Sequence, residues 1–240
     1  SWRNDARRFP EPNDGVILCT LGDASVNHST AQGAINTSGW TAYQNVPVPI
    51  LFVCEDNGIG ISTPTPGGWI EASIRGRSGI KYFSCNGLNA LETFRAAREV
   101  ENYVRTVRKP AFLHMNCIRL FGHAGADAQH VYLAMKDIEA TEAHDPLLYS
   151  ARLLIDNGVL DQAQILDIYN GTAERVARVA EEVIKRPKMK TAAEVMASII
   201  PPKKEVAPVT TTPAEREQLF GDDIAAMKTP QTMAKVSNDM

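Results

Sequence analysis

The sequence predicts an α/β fold, a parallel sheet with helices on both faces, from the alternation of two kinds of segment. Three apolar or β-branched runs, bounded by Pro, Gly, Asp or Asn, have the composition of buried strands: Val16 to Leu21, Ile50 to Cys54 and Ala111 to Ile118. Continuous apolar runs are typical of parallel strands that are covered on both faces. Helical segments separate these runs, and the order strand, helix, strand is that of an α/β protein.

The helical segments follow from composition and spacing. Residues 29–42 are small and can form a helix, while residues 90–108 repeat apolar side chains at helical spacing and predict an amphipathic crossover helix. From Pro146 onward the pattern is helical, with Gly158 predicted to end one helix. We expect this helical C-terminal tail to pack on the sheet.

Two regions of the chain differ in composition. We assign residues 1–200 to one α/β domain with its helical tail. The stretch from Pro201 to Pro213 is rich in Pro and Thr, as linkers are. Residues 201–240 are therefore predicted to hold a linker and the start of a second half.

Composition excludes several classes of protein. The chain has 240 residues, of which 44% are hydrophobic and 22% charged, and its net charge of −3 offers no basic excess for nucleic acid. No apolar run reaches the roughly 18 residues of a membrane span, and the N-terminus does not look like a signal peptide. The four cysteines lie far apart with no CxxC pair, so we expect reduced thiols and a cytoplasmic protein.

Polar clusters follow two of the predicted strands. Gly22-Asp23-Ala24-Ser25 comes after the first strand, and Glu55-Asp56-Asn57-Gly58 begins the segment after the second. Ligands of open α/β sheets bind at the carboxyl ends of the strands, where carboxylate and amide oxygens suit Mg²⁺ and a helix N-terminus suits phosphate. A metal and diphosphate site is one interpretation, and two ordinary tight turns are the other.

Three ordered motifs extend this interpretation. GDAS, followed 34 positions after Asp23 by Asn57 in EDNGIGIST, resembles the thiamine diphosphate motif of the decarboxylating component of 2-oxo acid dehydrogenases. The alpha-type chain of that family carries GDG or GEG and then NNGYAIST. The stretch RLFGHAGAD, from Arg119 to Asp127, is similar to the catalytic loop of the family, in which an Arg opens the segment and a His and an Asp follow. The resemblance covers roughly residues 14 to 200.

The resemblance implies roles for particular residues. Asp23 would bind Mg²⁺ through its carboxylate, Asn57 through its side-chain oxygen and Ile59 through its main-chain carbonyl. His123 would be the catalytic residue at the mouth of the site, where its titration near neutral pH suits hydrogen bonding or proton transfer. For a loop histidine taken alone, a hydrogen bond to backbone would be the ordinary interpretation. The residues implied to contact the thiamine diphosphate are Gly22, Asp23, Ala24, Ser25, Asn57, Ile59, Ile61, Arg119 and His123.

The sequence also departs from the family pattern. The spacing from Asp23 to Asn57 is about five residues longer than we expect, and the excess falls in SGWTAYQNVPVPI. Glu55 replaces a phosphate-binding Arg of branched-chain enzymes and Asp56 replaces the first Asn, so two acids would repel the diphosphate unless they turn outward, pair with Arg or meet the metal. Ala124 stands where some relatives have a phosphorylated Ser, which excludes phosphorylation at that position.

Other polar residues have competing interpretations. His28 and Asn27 could reach substrate, but capping of the following helix is as plausible. His114 lies within a strand and is predicted to be a hydrogen-bonded core residue. Arg75 and Arg77 could anchor an anionic partner, although a solvated loop is the simpler interpretation.

The resemblance implies oxidative decarboxylation of a 2-oxo acid and acyl transfer to the lipoyl group of an acyltransferase component. Branched-chain 2-oxo acids are slightly favoured by NGIGISTPT, with pyruvate and acetoin enzymes as alternatives. The implied partner is a beta-type half or subunit, in a dimer or heterotetramer, and Thr229 to Lys235 looks like the entry to that half in fused enzymes. A transketolase-like enzyme would share the metal motif but not RLFGHAGAD. A non-catalytic assembly protein that keeps the fold is the last alternative.

Overall fold

The structure, a computed structural model, describes residues 14–200, 212–214 and 218. Residues 201–211 of the predicted linker, and the segment from Thr229 to Lys235, lie outside the described residues. The chain divides into two compact units, residues 1–175 and residues 176–240. The assignment of residues 1–200 to one domain, and of residues 201–240 to a linker and second half, stays a prediction.

Four parallel strands form the central sheet, in the spatial order β1-β2-β6-β5. They are β1 (Ile17–Gly22), β2 (Ile50–Asp56), β5 (Lys81–Asn86) and β6 (Ala111–Asn116), and the register pairs Leu18 with Leu51, Phe52 with Phe112 and Phe83 with Leu113. A short antiparallel hairpin, β3 (Ile59–Gly60) and β4 (Thr63–Pro64), follows β2. All four strands of the sheet point their carboxyl ends the same way, so the loops after them share one edge.

Eight α-helices are present among the described residues. Four of them connect strands: α1 (Asp23–Val26), α2 (Ser29–Tyr43), α3 (Trp69–Ile74) and α4 (Ala90–Val107). Four more follow β6: α5 (Met135–Glu142), α6 (Pro146–Asp156), α7 (Gln162–Ile184) and α8 (Ala192–Met196). Within the described part of the chain, none of these helices combines the length and the apolar character needed to cross a bilayer.

The core has two parts, one on each face of the sheet. On one face, side chains of α1, α2 and α3 pack on Phe52, Cys54 and Phe112. On the other face, Val100 and Val104 of α4 pack on residues of β2, β5 and β6. Because both faces bury apolar side chains, the α/β fold class with helices on both faces is confirmed.

The strand predictions need two corrections. β1 was predicted to be a buried strand, but it lies at an edge of the sheet, and Ile17 and Leu18 are 61% and 63% exposed. β5 was not predicted, because Lys81, Ser84 and Asn86 interrupt its apolar residues, as suits the other edge strand. The helix over residues 90–108 therefore connects β5 to β6 rather than β2 to β6.

The predicted helical tail is present, and its first helices pack more lightly than expected. α6 ends at Asp156, and Gly158 follows with the positive φ of 65° that favours glycine at a helix end. No residue of α5 or α6 is buried. One polar contact joins α6 to the start of α4, where the Asn89 side-chain amide donates to the Tyr149 hydroxyl at 2.9 Å.

Candidate functional site

Asp23 lies at the carboxyl end of β1, where the chain turns into α1. Gly22 is the N-cap residue of that helix, and the Asp23 residue is only 3% exposed. The Thr65 hydroxyl donates a hydrogen bond to the Asp23 carboxylate, and among the described residues no Lys, Arg or His forms an ion pair with it. A buried carboxylate without a cation is costly, so this environment favours a bound positive charge.

A neighbouring buried thiol lies close to the same carboxylate. Burial raises the pKa of the Cys54 thiol to about 12, and the carboxylates of Asp56 and Asp23 add to the rise. A thiolate at that position would meet two negative charges in a buried place. Two carboxylates therefore lie close to Cys54, near the carboxyl end of β2.

Asn57 begins a tight turn after β2. Its side-chain oxygen accepts a hydrogen bond from the Ile59 N–H at 3.1 Å, and the Asp56 carboxylate accepts one from the Gly58 N–H at 3.1 Å. Gly58 has a φ of 75°, which glycine adopts without strain. The Thr65 N–H donates to the Gly58 carbonyl at 2.9 Å, closing the hairpin that carries Ile59. The turn is therefore held by hydrogen bonds on both sides of Asn57.

The hairpin touches α1 through a glycine that sequence analysis did not single out. A Cβ atom on Gly60 would lie 2.6 Å from the Cβ of Ala24, closer than any side chain could fit. Only glycine therefore allows this approach of the hairpin to the residues that follow β1. The Thr65 contact with Asp23 and the Gly60 contact with Ala24 bring the first two sequence motifs together.

Arg119 joins the third motif to the hairpin. Its guanidinium donates to the carbonyl oxygen of Ile61 at 2.6 Å and to the Tyr132 hydroxyl at 2.7 Å. Ile61 has a φ of 57°, which a β-branched residue rarely adopts, and the Arg119 hydrogen bond helps to hold it there. Arg119 Nε is buried without a hydrogen-bond partner in the described structure, which is costly and marks a polar group still to be satisfied.

The loop that carries His123 is organised around Asp127. The Asp127 carboxylate accepts a hydrogen bond from the His123 backbone N–H at 2.6 Å and one from the Tyr132 hydroxyl at 2.9 Å, and Arg119 lies 3.8 Å away. The His123 hydrogen bond is the main cause that lowers the pKa of the Asp127 carboxyl, with Tyr132 and Arg119 adding to it. The His123 residue itself is exposed, so the loop fixes its backbone and leaves the imidazole open to solvent.

Most of the predicted site residues therefore meet at one edge of the sheet. Contacts link the Asp23 turn to the hairpin of residues 57–65, and the hairpin to the loop of residues 119–132. Ser25 is exposed, and no hydrogen bond ties its side chain to the other motifs among the described residues. Tyr132 was missed because it lies five residues beyond the RLFGHAGAD motif, with no sequence signal that links it to Arg119.

The structure gives hydrogen-bond partners to several of the other polar residues. His28 caps α2, since its Nδ1 accepts from the Thr30 N–H at 3.2 Å, and Asn27 accepts from the Trp69 indole at 2.7 Å. His114 is 5% exposed and hydrogen-bonded, as predicted. The Asp56 carboxylate lies 2.8 Å from Nε2 of His114, whereas Glu55 is exposed to solvent. The two acids therefore have different surroundings: one bonds to a buried side chain and the other faces water.

The predicted donor set has the chemistry of ligands for a hard divalent cation. A buried carboxylate on Asp23, a side-chain amide oxygen on Asn57 and a backbone carbonyl on Ile59 are oxygen ligands, which Mg²⁺ prefers. The described residues contain no group of three His, Cys, Asp or Glu side chains placed to hold a metal. Of the predicted ligands only Asp23 has a side chain of one of these four types. A small number of protein ligands suits Mg²⁺, since the ion usually completes its shell with waters and phosphate oxygens.

Comparison with known proteins gives an independent result. The profile of the family described as "Dehydrogenase E1 component" matches residues 9–192 of the chain. Over 179 residues the chain is 24% identical to pyruvate dehydrogenase E1 component subunit alpha of Rickettsia bellii, covering 72% of the chain and 53% of that relative. Over 177 residues it is 22% identical to the mitochondrial 2-oxoisovalerate dehydrogenase subunit alpha of Homo sapiens, covering 72% of the chain and 39% of that relative. The chain thus spans about half the length of these relatives, or less.

Proposed function

Since the chain belongs to the dehydrogenase E1 component family, we propose that it is the alpha-type, diphosphate-binding part of a thiamine diphosphate-dependent 2-oxo acid dehydrogenase. The observation that carries this proposal is the meeting of three motifs at one edge of the sheet. The Thr65 hydrogen bond to Asp23 joins the first two, and the Arg119 hydrogen bond to the Ile61 carbonyl joins the third. These are the segments on which the predicted metal, diphosphate and catalytic residues lie.

We assign the binding of magnesium diphosphate to the turns after β1 and β2. Asp23, Asn57 and Ile59 would hold Mg²⁺, and the backbone around Gly22, Ala24 and Ser25 would face the diphosphate. α1 is a single short turn, so its role is to place Asp23 rather than to bind phosphate by itself. The buried carboxylate of Asp23, which has no ion pair among the described residues, supports a cation at this place.

The remaining residues orient the cofactor and the loop. When bound, thiamine diphosphate would supply the nucleophilic carbon and the electron sink that decarboxylation of a 2-oxo acid requires. Arg119 fixes the Ile61 carbonyl, and Asp127 and Tyr132 fix the loop, so that His123 lies at an exposed position on a loop that Arg119 ties to the hairpin. There its imidazole can donate a hydrogen bond or transfer a proton to a bound oxygen atom.

The proposed partners are a beta-type half, in the same chain or in trans, and a lipoyl acyltransferase component. The proposed substrate is a 2-oxo acid, and the preference for branched-chain acids stays a prediction because relatives named for pyruvate and for 2-oxoisovalerate match the chain at similar identity. The test is release of CO₂ from pyruvate and from 3-methyl-2-oxobutanoate by the chain assembled with its beta-type half. Turnover that requires added thiamine diphosphate is expected with one of them. No release from either acid, or release without the cofactor, would contradict the proposal.

His123→Ala is expected to lower turnover of the assembled enzyme by about 10²–10⁴-fold, the range by which a positioned acid or base accelerates a reaction. The thermal midpoint should not change, because the side chain is exposed and only its backbone N–H holds the loop. His144→Ala is the matched control, since His144 is an exposed histidine in the turn between α5 and α6. An unchanged turnover rate in His123→Ala would show that His123 has no catalytic role.

A further inference from the structure

A buried histidine bridges three strands next to the proposed metal site. His114 lies on β6 and is 5% exposed. Its Nε2 is 2.8 Å from a carboxylate oxygen of Asp56 on β2, and its Nδ1 is 2.7 Å from the hydroxyl oxygen of Tyr82 on β5. A carboxylate only accepts, so Nε2–H donates to Asp56, and in the neutral imidazole Nδ1 accepts from the Tyr82 hydroxyl.

The sheet register explains how one side chain reaches both partners. Asp56 is paired with Asn116, two residues beyond His114, and Tyr82 is paired with Phe112, two residues before it. All these side chains stand on the face of the sheet that α2 and α3 cover, because residues two apart on a strand share a face. The imidazole therefore lies diagonally across β6 and connects its neighbours on both sides.

Asp56 carries this connection into the turn that holds Asn57. Its second carboxylate oxygen accepts from the Gly58 N–H at 3.1 Å, directly across Asn57, whose own side chain accepts from the Ile59 N–H. At the other end, the guanidinium of Arg75, the C-cap residue of α3, lies 4.5 Å from the centre of the Tyr82 ring. The segment from Asp56 to Arg75 is thus held at both ends by side chains that meet at His114.

We propose that His114 is a positioning residue for the metal site: by fixing the Asp56 carboxylate, it holds the turn that presents Asn57 and Ile59. This inference rests on the proposed function, and it assigns His114 no contact with the cofactor. The proposal also explains why an acid can stand at Asp56, close to the diphosphate. Its two carboxylate oxygens accept hydrogen bonds from the His114 imidazole and from the Gly58 N–H, so they bond to the protein and not to the diphosphate.

The test combines an affinity with a measurement that needs no cofactor. His114→Ala should weaken the apparent Mg²⁺ affinity of the assembled enzyme, titrated in the presence of thiamine diphosphate, by about 10- to 100-fold, the usual cost of losing a group that orients a metal ligand. Hydrogen exchange at the Gly58 and Ile59 amides of the 240-residue chain should become faster. His114→Gln, which keeps an N–H donor for Asp56, should recover most of both losses.

Leu113→Ala is the matched control, since Leu113 is the adjacent buried residue of β6 and belongs to the core on the opposite face. It should lower the thermal midpoint at least as much as His114→Ala and leave Mg²⁺ affinity and exchange at Gly58 and Ile59 unchanged. Equal effects of the two Ala variants, or no rescue by Gln, would overturn the proposal. If the unmutated assembly binds neither Mg²⁺ nor the cofactor, the proposed function fails, and the exchange data alone decide whether His114 holds the turn.

Discussion

Asp23→Asn is expected to weaken Mg²⁺-dependent thiamine diphosphate binding by about 100-fold or more in the assembled enzyme. In the proposed site the diphosphate would be held largely through the ion, and the change removes the only carboxylate of the proposed ligand set. Asparagine keeps the size of aspartate and can still accept the hydrogen bond from the Thr65 hydroxyl. The loss would therefore report the missing charge rather than a damaged turn. Isothermal titration calorimetry with Mg²⁺ and the cofactor is the measurement.

The thermal midpoint of the metal-free chain distinguishes two roles of Asp23, a metal ligand and an acid that stabilises the fold. Asp23 is buried and has no ion pair among the described residues, so its charge is a cost to the folded state. Asp23→Asn should leave the thermal midpoint of the metal-free chain unchanged or raise it. Asp137→Asn, at an exposed position in the first turn of α5, is the control that should change neither binding nor midpoint. Retained cofactor affinity in Asp23→Asn would sink the metal assignment.

The sequence predicts those strands that are continuously apolar and those helices in which apolar residues repeat at helical spacing. β2 and β6 were recognised because they are central strands with continuous apolar runs, and α4 because its apolar residues repeat at helical spacing. β5 was missed because an edge strand needs apolar residues on only part of its surface. β1 was placed correctly along the chain and wrongly in the core, because an apolar run does not tell whether a strand has one neighbour or two.

For the site, sequence analysis located residues that follow strand ends but not the contacts between them. Asp23, Asn57 and Arg119 each lie just beyond a strand, and parallel strands bring such positions to one edge. The close approach of Gly60 to Ala24 and the link from His114 to Asp56 depend on register across strands, which one sequence does not reveal. From the sequence, Asp56 was therefore expected to repel the diphosphate. Its partner, His114, is brought next to it only by the fold.

Exposed apolar side chains lie on two of the segments that form the proposed site. Ile61, Phe121 and Val131, on the hairpin and on the loop that carries His123, are 61%, 81% and 77% exposed. Large apolar residues grouped around a polar centre are typical of protein interfaces rather than of free surface. His123 is exposed on the same loop as Phe121, and a partner that covered these residues would exclude water from the reacting atoms.

The 240-residue chain alone is accordingly expected to bind thiamine diphosphate weakly and to release no CO₂ from pyruvate or 3-methyl-2-oxobutanoate. Both properties should appear when the beta-type half is supplied in the same chain or in trans, because burial of the Phe121 side of the site then strengthens the electrostatic contacts of Asp23 and fixes the loop. Phe121→Asp should impair this gain by weakening assembly, while leaving the metal-free chain folded, since its ring is exposed there. Release of CO₂ is measured with and without the beta-type half, and sedimentation of the chain mixed with that half reports whether the two assemble. Full activity from the chain alone would show that the reacting groups are completed within this chain and that the exposed apolar residues serve another purpose.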